Sequence, residues 1–244
     1  MFKKVVIILC VMVIVAGCSP TAVPAAAPSS STAAAPAALK LTPPWKSAEH
    51  AEYNIVKDSD NSALGTSMID IQPANDATTI EQRLQLGAVT QHFLVKVDPQ
   101  TLKPLASSQE LAGSPNDFSL TATYADSKLS ITAKTAQGEK NATIDVPPDA
   151  YDNNSLLAIL RGLPFSVGNA ASFTNIIPTN AAQVKSTVTV ADQESVKVPA
   201  GTFDTYKVVM DFGGAPKQTA WYEVADPHRL IKYDNGTTQF VLAK

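Results

Sequence analysis

From Glu52 onward, apolar and polar side chains alternate with a period of two, and the pattern is interrupted every 8–12 residues or so by turn-forming residues. Tyr53 and Ile55 alternate within Glu52–Lys57, and similar runs follow at 64–72, 80–86, 91–97, 118–124, 129–133 and 142–146. Further on come 184–190 and 196–198, then a strand after Gly201 in which Tyr206, Val208, Met210 and Phe212 occupy one face. Thr219–Val224 carries Trp221 and Tyr222. The last two runs, 229–233 and 237–242, flank Asp234-Asn235-Gly236, whose Asn-Gly pair predicts a tight type I′ hairpin. This is the signature of short strands that bury one face. It predicts a mainly β domain of roughly ten to twelve antiparallel strands.

One stretch breaks the pattern. Pro147-Pro148 ends a strand, Asn153-Asn154-Ser155 offers an N-cap, and Leu156, Leu157, Ile159 and Leu160 follow before Gly162 and Pro164. The spacing predicts one short helix. It is apolar nearly all round and should therefore be buried.

The N-terminal region has a different character. Lys3 and Lys4 precede an apolar run, Val5–Val15, too short for the roughly 20 residues of a spanning helix. The run ends in Val15-Ala16-Gly17-Cys18, which looks like a bacterial lipobox. The expected layout is a signal peptide over 1–17, a lipidated Cys18 heading a disordered Ala/Pro/Ser tether over 18–44, and the β domain over 45–244. Cys10 would leave with the signal peptide, so no disulfide, cysteine metal site or cysteine nucleophile is expected. Loss of Lys3 and Lys4 takes the formal net charge from −3 to −5. A mildly acidic chain without a basic cluster is a poor partner for nucleic acid, and its membrane contact would run through the acyl chains on Cys18. The expected location is membrane-anchored, outside the cytoplasm.

Candidate chemistry is sparse. No phosphate loop, dinucleotide fingerprint, nucleophile elbow or His-Glu-x-x-His is present, and no cofactor or metal is expected. Asp58, Asp60 and Ser62 have the spacing of a calcium loop. Ala63 stands where that loop needs Gly and Ile69 where it needs Glu, so a hairpin turn is the better reading. His50, His92 and His228 lie in separate elements and read as surface or turn residues. Asp70 and Asp211 alternate with apolar neighbours and read as solvated. The aromatic residues are the stronger clue. Trp221 and Tyr222 are adjacent and must point to opposite faces of a sheet.

Several segments together resemble a bacterial exported domain family of unknown function, number 3108. They are Tyr53 with Gly65, Leu156-Leu157…Leu160-Arg161…Leu163-Pro164…Gly168, Val198-Pro199-Ala200-Gly201-Thr202-Phe203, Trp221-Tyr222, and Arg229-Leu230-Ile231-Lys232-Tyr233. The resemblance implies an antiparallel sheet curved into a half-barrel or open barrel around one short helix, and it assigns no catalytic residue. The leading expectation is therefore a non-enzymatic lipoprotein that binds an apolar ligand, a lipid or acyl chain, between sheet and helix. The cleft would be lined by Leu156, Leu157, Leu160, Leu163, Tyr206, Met210, Trp221, Tyr222, Tyr233 and Phe240. A filled-core structural or interaction module of the cell envelope is the second reading, and a hydrolase is the weakest.

Overall fold

The computed structural model describes residues 36–244. The expected signal peptide, Cys18 and most of the Ala/Pro/Ser segment lie outside the described residues. The chain runs through β1 (Ala37–Ala38), β2 (Glu49–Lys57), β3 (Ala63–Gln72), β4 (Thr78–Leu86) and β5 (Val89–Val97). Next come β6 (Pro104–Ala112), β7 (Phe118–Ala125), β8 (Lys128–Thr135), β9 (Gly138–Asp145) and the short β10 (Ala150–Asp152). A helical segment follows, consisting of a 3₁₀ turn (Asn153–Ser155), α1 (Leu156–Ile159) and a second 3₁₀ turn (Leu160–Gly162). The remaining strands are β11 (Ala170–Ile177), β12 (Ala182–Val198), β13 (Gly201–Asp211), β14 (Gln218–Glu223), β15 (Leu230–Asp234) and β16 (Thr238–Leu242).

All sixteen strands among the described residues belong to one sheet. Two antiparallel meanders, β2–β9 and β11–β16, are joined where β16 pairs with β2. The sheet is not wholly antiparallel: β1 and β10 both pair with β11 in parallel. Nor do its ends meet through a backbone ladder. Side chains close the gap instead. Leu120, Ala122, Leu129 and Ile131 from β7 and β8 pack on Ala150 and Ile176 as a small second core. Tyr124 donates to Asp152, Thr179 to Gln109, and Gln183 to the Asp145 carbonyl across the same seam.

The main core surrounds the helical segment. Leu156, Ile159, Leu160 and Leu163 are buried against the inward residues of both meanders, including Ile55, Ile71, Val95, Phe173, Val208 and Tyr222. Ser155 stands at the N-cap of α1 without a side-chain capping bond, and Asp152 caps the preceding 3₁₀ turn, its carboxylate accepting from the Asn154 N–H.

Three further expectations change. First, the described residues hold more strands than the ten to twelve expected, among them β6 and β11, which lack simple alternation. β6 turns Ser107 inward, and β11 buries Phe173, Thr174, Asn175 and Ile176 in succession because both of its faces are covered. Second, β15 and β16 are linked by Asn235, Gly236 and Thr237. Gly236 alone in that loop has positive φ, and the Asn235 side chain accepts from the Thr237 and Thr238 N–H groups. This is a three-residue loop, not a type I′ turn. Third, residues before Trp45 already belong to the domain. β1 pairs with β11, Leu39 is buried with Trp45, and the Thr42 N–H donates to the Gly162 carbonyl. The apolar Leu39 and Leu41 fasten this strap to the core although its composition reads as tether.

Gly162 marks the crossing point, since a Cβ there would lie 2.3 Å from the Thr42 carbonyl oxygen. Gly162→Ala is expected to lift the strap and lower stability by about 1–3 kcal/mol, the usual cost of overpacking. Limited proteolysis should then cut within residues 39–45 at a protease concentration that leaves the native chain whole. An unchanged cleavage pattern would contradict the crossing.

Candidate functional site

The ten residues expected to line an apolar cleft are placed unequally. All but Trp221 join the main core: Leu156, Leu160, Leu163, Met210, Tyr222 and Phe240 buried within it, Leu157, Tyr206 and Tyr233 packed at its edge. The Tyr222 hydroxyl donates to the Leu157 carbonyl at 2.9 Å, and the Tyr53 hydroxyl to the Leu230 carbonyl at 3.0 Å. Burial pushes both phenol pKa values upward. Phe165 stacks on Tyr206 at 4.9 Å and tilts against Tyr222 and His228. Between helix and sheet there is a void of about 40 Å³, lined by Tyr53, Ile69, Ile71, Leu157, Ala158 and Arg161 among others. It has room for a water or two, whereas ligand sites run to roughly 300–1,000 Å³. Apart from Trp221, the ten residues belong to a packed core, and the void beside Leu157 is too small for an acyl chain.

Trp221 points the other way. Its register partners Lys207 and Lys232 place their ammonium groups 5.8 and 4.9 Å from its ring, and its indole N–H donates to Glu194 at 2.5 Å. The lysine stems cover the ring on the outer face, so Trp221 is buried without belonging to the interior.

A larger concavity, about 490 Å³, lies over β2, β3, β4 and β5. Register assigns it to the outer face. Tyr53, Ser67 and Leu84 alternate inward, leaving two cross-strand rows pointing out. One row is Asn54–Thr66–Gln85–Thr90; the other is Glu52–Met68–Arg83–His92. Gly65 sits beside the first row. A Cβ there would fall 1.9 Å from the Gln85 carbonyl oxygen, so only glycine lets β3 and β4 approach this closely. Because each strand here has a partner on both sides, the groove floor has no free edge.

A third row completes this face with His50, Asp70 and Glu81. His50 sets Nδ1 2.6 Å from Asp70 and Nε2 3.3 Å from Glu52; these carboxylates raise its pKa. His92 Nε2 lies 2.6 Å from Glu81, and Arg83 bridges Glu81 and Asp70. Asp70, read as solvated, is thus half-buried in a charge network, while Asp211 pairs with Lys217. His228 sits in a turn with φ of 56°, its Nδ1 on the Glu223 carbonyl and its ring against Phe165. No imidazole among the described residues bonds a hydroxyl, and no group of three or more His, Cys, Asp or Glu is placed to hold a metal ion.

Sequence reasoning missed a buried polar cluster at the seam. Asp152 is fully buried, accepting from the Tyr124 hydroxyl at 2.7 Å and the Asn154 N–H at 2.8 Å. Burial outweighs these donors and pushes its carboxyl up to about 6. Nearby, burial brings the Lys103 ammonium down to about 8; it bonds the Ala150 carbonyl and caps the Tyr151 ring. A single Asp beside a predicted N-cap was the available signal.

No protein of curated function matches the chain. Among solved structures, the chain is similar to a β-barrel-like protein of domain of unknown function DUF1849 from Brucella abortus. The two superpose with a TM-score of 0.51 at 13% identity, over 84% of this chain and 98% of that one. That likeness supports the barrel-like fold alone. The model of a protein family of unknown function, DUF3108, matches residues 54–242, from the second strand through the last. The chain therefore belongs to the DUF3108 family.

Proposed function

We propose that this chain is a non-enzymatic interaction module of the cell envelope, anchored to a membrane through lipidated Cys18, and that it works through its outer sheet face. The observation that carries the reading is the contrast between the two cavities. The void beside Leu157, between helix and sheet, is about 40 Å³, while the outer face of β2–β5 holds a groove of about 490 Å³ whose polar side chains face solvent. Of the alternatives read from the sequence, the filled-core module fits this contrast and the interior lipid carrier does not. A hydrolase would need a base next to a nucleophile, and the imidazoles here are instead held by carboxylates or a carbonyl.

Thiol labelling tests the reading. With Cys18 acylated and Cys10 removed, a single engineered cysteine would be the only free thiol. Thr66→Cys and Thr90→Cys, both in the groove, should react with a maleimide several-fold more slowly in the intact envelope than in the purified protein. Ser130→Cys, exposed on β8, should react equally in both settings. Equal rates at all three positions would overturn the proposal.

A further inference from the structure

We infer that the outer-face groove binds an uncharged glycan chain; this rests on the reading of the outer face as the working surface. Asn54, Thr66 and Thr90 make no side-chain hydrogen bond within the described residues, although each can both donate and accept. Together with Gln85 they form one row across four strands, in direct register. The row steps at the inter-strand spacing of about 4.8 Å, close to the length of one hexose along a linear chain. A polyol presents the same mixture of donors and acceptors along its length. In the adjoining row, Met68 offers the apolar end of its side chain to the C–H face of a sugar ring, its sulfur accepting from Arg83 at 3.6 Å.

The alternatives fit less well. A polyanion needs free cations, and Arg83, the one Lys or Arg lining the groove, is already held by Asp70 and Glu81, with Glu52 and Glu110 in its own row. An acyl chain would strip water from Asn54, Thr66 and Thr90 and leave those groups unpaired, whereas the Gln85 amide already donates to the Gly87 carbonyl. A peptide adding itself as a strand needs an open edge, and β2–β5 are paired on both sides.

The test is saturation-transfer NMR on the full chain in a detergent without a sugar headgroup. Cellohexaose and the hexamer of N-acetylglucosamine serve as probes. The wild-type protein should transfer saturation to at least one of them. The Thr66→Val/Thr90→Val variant keeps two exposed β-branched residues in their strands, removes two hydroxyls, and should lower the signal at least five-fold with an unchanged melting temperature. Ser130→Val should leave the signal intact. No transfer from the wild type to either glycan, or equal transfer from the double variant, would overturn the inference. Slow thiol labelling at Thr66→Cys in the envelope, combined with no glycan signal, would keep the outer face as the working surface and reject the glycan as its occupant.

Discussion

Arg161→Ala is expected to lower stability by about 3–5 kcal/mol, the range for breaking a buried ion pair from one side. The guanidinium is buried at the end of the helical segment. It bonds the Glu49 carboxylate at 2.8 Å and donates to the Pro227 and His228 carbonyls at 2.9–3.2 Å. One side chain thus ties the helix to β2 and to the β14–β15 loop, and it lies 5.9 Å from the Trp45 ring of the strap. Its removal strands a largely buried carboxylate and two carbonyls together. Arg161→Lys keeps the charge but lacks the planar fork, so it should recover only part of the loss. Adding Glu49→Gln to Arg161→Ala should recover part of the loss, because it removes the uncompensated charge but leaves the two carbonyls without their donor. Urea melts followed by circular dichroism would decide. A loss under 1 kcal/mol in the single variant would show that the network is incidental.

The second large effect concerns pH. Asp152 has a folded-state pKa of about 6, above its ordinary value of 3.8, so between those values the folded chain binds more protons than the unfolded one. This group's contribution is fully present below about pH 4 and is lost as the pH rises through 6. The difference corresponds to roughly 3 kcal/mol. Exposed or lightly buried carboxylates such as Asp98 and Asp149 have lowered pKa values and slope the other way, so the comparison must be made against a variant. Asp152→Asn keeps an acceptor for the Asn154 N–H and cannot ionise. Relative to the wild type, it should gain roughly 3 kcal/mol on going from pH 4 to pH 7. Parallel stability curves for the two proteins would show that Asp152 is not held against ionisation by its burial.

The sequence was most informative where each strand has one wet face. Val208 and Met210 alternate with the half-exposed Lys207, Val209 and Asp211, so their strand is visible in the pattern. The same logic located the helix, since no other stretch clusters Leu156, Leu157, Ile159 and Leu160. It failed where burial is two-sided, as in β11, and where the inward residue is small and polar, as with Ser107 in β6. Leu39 and Leu41 were hidden by their Ala and Pro neighbours. Of the aromatic residues grouped from the sequence, Tyr206, Tyr222, Tyr233 and Phe240 share the core and Trp221 does not, and grouping could not tell a cleft from a core. That depends on whether the helix fills the barrel, and a chain read residue by residue does not reveal an enclosed volume. The outer groove was harder still. Asn54, Thr66, Gln85 and Thr90 look like an ordinary solvent face until register aligns them, and the close approach at Gly65 leaves no periodic trace.

The joint between the two meanders has a consequence for timing. β2 finds its second neighbour only in β16, the last strand, with Ile55 set against Phe240. A chain emerging from the ribosome can fold β2–β9 early, one hairpin upon the next. The centre of the sheet, however, must wait for its final residues, and so must every core contact that spans both halves. Until then two meanders stand with raw edges that invite pairing with other chains. Contacts this distant in sequence are slow to form. A chain that stops a few residues short of Leu242 therefore loses the midline of its sheet rather than a dispensable tail.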